Sequence, residues 1–261
     1  VYENIGQYYW LNGQKAQARS FILEDMPDNC IYEVIRVKNH KLLFFEDHMD
    51  RLQEGMINYG LGLDDLEIIK QNILQLVVDH EGLDKNIKID VAKDYYRIYY
   101  VKSKYPSKAL YDQGVKTVVM DYERHDPQQK VLNMDYKRQI EAVKGQEYFE
   151  VLLMDHKGMV TEGSRSNLVF VKDNHLISAP LSCILHGVTF KNIILLADQL
   201  NIDLLEEGVS LDDLDEVDAC FLTGTSLGVL PIQSVNDRVF KSSENKIVRV
   251  LMKAYEDYVN H

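Results

Sequence analysis

Alternating apolar and polar positions open the chain. Tyr8-Tyr9-Trp10-Leu11-Asn12-Gly13 and Ala18 to Leu23 have strand character. Ile31-Tyr32-Glu33-Val34-Ile35-Arg36-Val37, Lys38-Asn39-His40 and Lys41-Leu42-Leu43-Phe44-Phe45 read as strand, turn and strand. The period then changes. Met49, Leu52, Met56 and Tyr59 keep three-and-four spacing and predict a helix over 46–59. Leu66, Ile69, Ile73 and Leu76 predict another over 64–80. Residues 86–101, heavy in Ile, Val and Tyr, return to strand, and the polar, proline-containing stretch 102–108 is the best linker candidate.

Beyond it, Gly114 to Met120 reads as a strand, and a polar stretch around Asp126 to Lys130 leads to a short helix near 137–144. Strands are expected at 149–155, 159–161, 167–172 and 175–178, with a turn at Asp173-Asn174, and again at 203–208, 218–223 and 229–235. A helix runs from about Val188 to Leu200 and another from Ser243 to about Val259. No internal repeat or low-complexity tract interrupts the pattern. Meandering strands with a few helices predict an α+β fold in two domains, 1–106 and 107–261.

Composition narrows the function. With 261 residues and 46% hydrophobic side chains, the chain can bury a substantial core. A net charge of −12, from 29 basic and 41 acidic residues, argues against a nucleic-acid backbone or an anionic membrane surface as the main partner. Cys30, Cys183 and Cys220 are far apart and odd in number, which suits a reducing compartment. No signal-like start and no membrane-length apolar run stand out, so a cytoplasmic protein is expected. The eight histidines include no pair at metal-ligand spacing, and no metal is expected.

The candidate chemistry begins at Glu162, in Gly158-Met159-Val160-Thr161-Glu162-Gly163-Ser164-Arg165-Ser166-Asn167. It lies where two apolar strands meet, and an unpaired carboxylate there is costly, so it either faces a cation or is exposed. Lys130, followed by Val131-Leu132-Asn133, lies between a strand and a helix; carried into an apolar pocket, such an amine becomes a usable nucleophile. Leu185-His186-Gly187-Val188-Thr189 places a glycine before a helix whose first amides, at Val188 and Thr189, suit a phosphate, although on its own this stretch favours a Gly before an ordinary helix. Gly224-Thr225 follows an apolar strand and offers amides and hydroxyls, or is an ordinary turn. Arg51 borders an apolar helical stripe, where a side chain either reaches solvent or closes on an anion; from its own stretch solvent is favoured.

Together these segments resemble the class IV (fold-type IV) pyridoxal-phosphate enzymes, which include D-amino acid and branched-chain aminotransferases and aminodeoxychorismate lyases. Ile31 to Arg36 is similar to the family's early strand, and Glu46 to Leu52 to its His-x-Asp-Arg-Leu helix. Lys130-Val131-Leu132-Asn133 resembles the segment of the cofactor-bearing lysine, and Thr161 to Asn167 the most specific signature. Leu185 to Thr189 and Phe221 to Thr225 resemble the two phosphate-binding turns. The resemblance implies a small N-terminal α/β domain, a larger barrel-like C-terminal domain of mixed strands with helices, pyridoxal 5'-phosphate as cofactor, and a homodimer. It implies that Lys130 carries the cofactor, that Glu162 meets its ring nitrogen, and that Leu185 packs on its ring. Arg51, Val188, Thr189, Gly224 and Thr225 would hold its phosphate.

The resemblance also has departures. Pro27-Asp28-Asn29-Cys30 stands in place of a Gly-Asp-Gly-like turn, and Phe190 replaces an arginine. Where many aminotransferases hold the substrate carboxylate with an arginine, this chain has Lys102 and Lys104, which are substitutes for it or solvated linker charges. Tyr32 lines the substrate pocket or packs in the core. The expected activity is transfer of an amino group between an amino acid and a 2-oxo acid. A lyase of the aminodeoxychorismate type and a non-catalytic scaffold are the rivals.

Overall fold

In the computed structural model, residues 4–22, 30–62 and 66–260 are described. The chain divides into two compact units: residues up to Lys104 together with Gln129–Asn133, and Tyr105–Gln128 together with Met134 onward.

In the first unit, β1 (Tyr8–Leu11) and β2 (Gln14–Gln17) are joined at Asn12-Gly13, both with positive φ (46° and 75°). That backbone suits a two-residue hairpin because its twist matches the strands. Ala18–Ser20 is a short 3-10 turn rather than the expected strand, and Leu23 and Pro27–Asn29 lie outside the described residues. β3 (Ile31–Lys38) and β4 (Lys41–Leu42) turn the same way at Asn39-His40. Phe44 and Phe45 were expected in that strand. Instead Phe44 adopts a left-handed conformation (φ 54°) and Phe45 begins α1 (Phe45–Asn58), so the apolar run is a helix start. α2 (Leu66–Asp79) follows, and Asp64 and Asp65, from its expected first turn, lie outside the described residues. β5 (Asn86–Ala92) and β6 (Tyr95–Val101) complete a six-stranded sheet of order β2-β1-β6-β5-β3-β4.

One sheet face, with Ile31, Ile35, Val37, Ile87, Ile89 and Ile98, packs in one core with Met49, Leu52 and Met56 of α1 and Ile69, Ile73 and Leu76 of α2. Period-two alternation along β3 and three-and-four spacing along both helices explain this burial. Glu33 has the same parity as the apolar residues. On the other face Tyr32, Asp90 and Arg97 are cross-strand neighbours, as are Val34, Lys88 and Tyr99. The segment 129–133 adds to β3: the Tyr32 amide donates to the Lys130 carbonyl (3.0 Å) and the Leu132 amide to the Cys30 carbonyl (2.8 Å).

The second unit opens with α3 (Lys108–Gln113), which sequence periodicity did not announce; six residues are too few to show it. Then come β7 (Val115–Asp121), α4 (Met134–Lys144), β8 (Glu150–Met154), β9 (Met159–Gly163), β10 (Ser166–Lys172) and β11 (His175–Ile177). α5 (Val188–Gln199), β12 (Leu204–Leu205) and β13 (Val209–Ser210) follow, the last two replacing the single strand expected at 203–208. β14 (Ala219–Gly224), β15 (Gly228–Val235), β16 (Arg238–Val239) and α6 (Lys246–Asn260) end the unit. Six strands in the order β10-β14-β15-β7-β8-β9 close on themselves, because β9 pairs back to β10. β7 is parallel to both β15 and β8, and the other barrel pairs are antiparallel. This is the expected α+β fold with a barrel of mixed strands. Closure leaves its strands no free edges and fills the centre with side chains such as Leu152, Leu168, Leu222 and Leu230.

Candidate active site

Glu162 is the penultimate residue of β9, just before the hairpin turn at Ser164 and Arg165, and it is only 3% exposed. Its cation is Arg124, whose Nη1 donates to Oε1 at 2.9 Å, and the Leu185 amide donates to Oε2 at 3.1 Å. A charge-assisted bond and an amide bond together offset the cost of burying the carboxylate. The hairpin beside it is fixed by a second buried acid: Ser164 and Ser166 both donate to Glu150, at 2.5 and 3.2 Å. Tyr136 of α4 donates to the Ser164 carbonyl at 3.1 Å, and burial holds its phenol well above the ordinary tyrosine range. Gly163 permits this closeness, since a Cβ there would fall 2.1 Å from Ser166 Oγ.

Asn167 lies opposite both Glu162 and Thr223 in the strand register, so acid, amide and hydroxyl form a row on one face of three neighbouring strands. Thr223 Oγ1 is buried with no hydrogen-bond partner among the described residues. Leu185 is half-buried, its carbonyl taking a bond from Asn167 Nδ2 at 2.7 Å. Gly187 then caps α5 without any side-chain cap bond, and Val188 and Thr189 are buried in its first turn. Phe190, at the departure from the family pattern, is buried beside them. Gly224 and Thr225 form a half-buried turn at the end of β14.

In the first unit, Arg51 folds back on the sheet and leaves only 12% of its side chain exposed. Its guanidinium grips Glu33 of β3 through Nε–Oε1 at 2.6 Å and Nη2–Oε2 at 2.7 Å, and His48 Nδ1 lies 2.8 Å from the same carboxylate. Burial would raise the Glu33 carboxyl, but Arg51 and His48 overcome it and hold it far below the carboxylate range. Burial lowers His48 from its ordinary 6.5, against the pull of Glu33. An apolar strand is thus used to fix the orientation of one arginine.

Lys130 is half-buried, with its Nζ 4.9 Å from the centre of the Tyr32 ring. Lys88 Nζ lies 5.0 Å from the same ring and is ion-paired with Asp90. Arg97 Nη2 is 3.4 Å from Asp90, its guanidinium stacks 4.4 Å from the Phe21 ring centre, and its Nε has no partner. Lys88, Asp90 and Arg97 are all at most 2% exposed. Asp90 thus lies between two buried cations, Lys88 and Arg97. Lys102 and Lys104, by contrast, are exposed.

Sequence reasoning missed Glu33, His48, Lys88, Arg97, Arg124, Glu150 and the row at Asn167 and Thr223. One signal was available: Glu33 occupies an apolar parity, as does Glu162. Among the described residues, no group of three His, Cys, Asp or Glu side chains is placed to hold a metal ion. No helix among them is long and apolar enough to cross a membrane.

A two-domain α+β chain with a closed barrel of mixed strands, and a buried acid on a Thr-Glu-Gly-Ser hairpin, has the architecture of fold type IV. Residues 30–235 match the amino-transferase class IV family, and the chain belongs to that family. It is 26% identical to a probable branched-chain-amino-acid aminotransferase of Rickettsia typhi, over 97% of this chain and 96% of the relative. It is 27% identical to the D-alanine aminotransferase of Bacillus licheniformis, over 81% of each. Among solved structures, the branched-chain amino acid aminotransferase of Thermobaculum terrenum in its PLP form superposes with a TM-score of 0.83 at 22% identity. That match covers 98% of this chain and 94% of the other.

Proposed function

We propose that the protein is a pyridoxal-phosphate-dependent aminotransferase that exchanges an amino group between an amino acid and a 2-oxo acid. The observation that carries this reading is Glu162, a buried carboxylate set by Arg124 and the Leu185 amide at the end of a barrel strand. The residues fit the cofactor. Arg51 is a pre-oriented cation, the α5 N-terminus lacks a side-chain cap, and a buried hydroxyl at Thr223 is left without a partner among the described residues. Bound there, pyridoxal phosphate would supply an aldehyde and an electron-withdrawing ring.

Lys130 would hold the cofactor through its amine and, as a free base, would move the proton at the substrate Cα. Glu162 keeps a proton on the pyridine nitrogen, and Arg124 holds the carboxylate in place for that task. Arg51, the Val188 and Thr189 amides and the Gly224-Thr225 turn would hold the phosphate, and Leu185 would pack on the ring. Tyr32 lines the substrate side. The buried cations Lys88, 5.0 Å from its ring, and Arg97 support placing carboxylate recognition there, ahead of the exposed Lys102 and Lys104. We also assign a cytoplasmic homodimer, which sedimentation would test.

The purified protein should be yellow and bleached by borohydride, and Lys130→Ala should be neither. Turnover should require a 2-oxo acid acceptor. Turnover without one would replace this reading with a lyase of the aminodeoxychorismate type. A colourless protein that takes up no cofactor would overturn both.

A further inference from the structure

We infer that Asn167 is a positioning residue that clamps the loop before α5 to β10, the strand paired with the one carrying Glu162, and so sets the spacing between the two ends of the cofactor site. The inference rests on the proposed function for the identity of that cofactor.

Asn167 and Glu162 are directly paired between β10 and β9, and their side chains share a face. Both reach the same residue. Glu162 Oε2 accepts the Leu185 amide at 3.1 Å, and Asn167 Nδ2 donates to the Leu185 carbonyl at 2.7 Å. The carbonyl also takes the Gly187 amide at 2.8 Å, which folds the loop tightly onto the row. The third grip is steric. A Cβ on Gly187 would lie 2.0 Å from Asn167 Oδ1, so glycine backbone is pressed against the amide at the residue that caps α5.

Asn167 is 4% exposed and its Nδ2 is already committed, so it cannot swing away cheaply to relieve such a clash. Three contacts therefore tie the α5 N-terminus to the paired strands β9 and β10, one through Glu162 and two through Asn167. A rigid ligand with an anionic group at one end and a ring nitrogen at the other needs both ends at a fixed separation, and a small misplacement is expensive. Neither Asn167 nor Gly187 need touch that ligand. Their role is to keep the two receiving groups in register.

The test uses the full chain and the variants Asn167→Ala, Gly187→Ala and the double variant, with pyridoxal phosphate and inorganic phosphate as probes. Each single substitution should weaken pyridoxal phosphate at least tenfold. The double variant should bind no worse than the weaker single one, because the added methyl then enters the space the amide left. Competition by inorganic phosphate should change less than threefold, since each end remains intact and only the spacing is lost. Singles that multiply in the double variant, or a parallel loss of both probes, would overturn the clamp. Hydrogen exchange at the Leu185 and Gly187 amides, expected at least tenfold faster in ligand-free Asn167→Ala, reads the clamp without cofactor. Unchanged exchange would overturn it. A wild-type protein that takes up no pyridoxal phosphate, yet shows faster exchange in the variant, would refute the proposed function and leave the clamp standing.

Discussion

Replacing Glu33 with glutamine removes the charge that Arg51 and His48 share, while keeping the shape of the side chain. Three contacts of 2.6, 2.7 and 2.8 Å converge on this carboxylate, which is 1% exposed. An amide oxygen can satisfy at most part of that set, and its NH2 must face a donor. Removing one partner of a buried ion pair typically costs about 3–5 kcal/mol. Arg51 retains some contact with solvent, 12% of its side chain, so the lower end, about 3 kcal/mol, is expected at pH 7. Urea unfolding followed by the fluorescence of Trp10 measures it, because this single tryptophan packs against the core of the first unit.

The pH dependence gives the prediction a second edge. The Glu33 carboxyl is held far below its ordinary 4.5 in the folded protein. Below 4.5 the unfolded chain therefore binds a proton that the folded chain does not. The stabilisation is complete above pH 4.5 and shrinks as the pH falls through the lower folded value. The gap between wild type and Glu33→Gln should narrow accordingly in acid. A gap under about 0.5 kcal/mol at pH 7, or one independent of pH below 4.5, would refute the ion-pair argument.

Arg97→Met should raise the KM for the amino-acid substrate about tenfold or more, on the scale of one charge acting at an effective dielectric near 20, with a smaller change in kcat. Lys102→Ala and Lys104→Ala should leave KM within about twofold. The reverse ranking in steady-state kinetics would return carboxylate recognition to the lysines. Of the three cysteines, Cys183 alone is exposed, and burial pushes the Cys220 thiol up to about 12. A thiol reagent at neutral pH should therefore modify one thiol in the native protein and three after unfolding. Rapid native reaction of Cys220 would contradict its burial.

Much of this architecture was legible in residue patterns. Asp173-Asn174 stands at a hairpin turn with positive φ, and the stripes at Met49, Leu52 and Met56 and at Ile69, Ile73 and Leu76 face a core, whereas Asn12-Gly13, expected to continue a strand, forms a turn. What stayed hidden depends on partners distant in sequence. Arg124 lies 38 residues from Glu162 in a polar stretch, and nothing local marks it as the guanidinium for that acid. Arg51 looked like a solvent-reaching side chain because its carboxylate comes from a strand 18 residues earlier. Arg97 was submerged in a tyrosine-rich strand; only the register with Lys88 and Asp90 reveals the charged row. Secondary structure follows local periods, whereas charge pairing follows topology.

Gln129–Asn133 belong to the first unit although the residues on either side belong to the second. Synthesis as far as Lys104 therefore leaves that unit unfinished: Cys30 and Tyr32 wait, with backbone groups exposed to water, for a strip of chain that emerges later. A fragment truncated at Lys104 should be a poor autonomous folder, and engineering the units separately would require grafting the five-residue strip that brings Lys130.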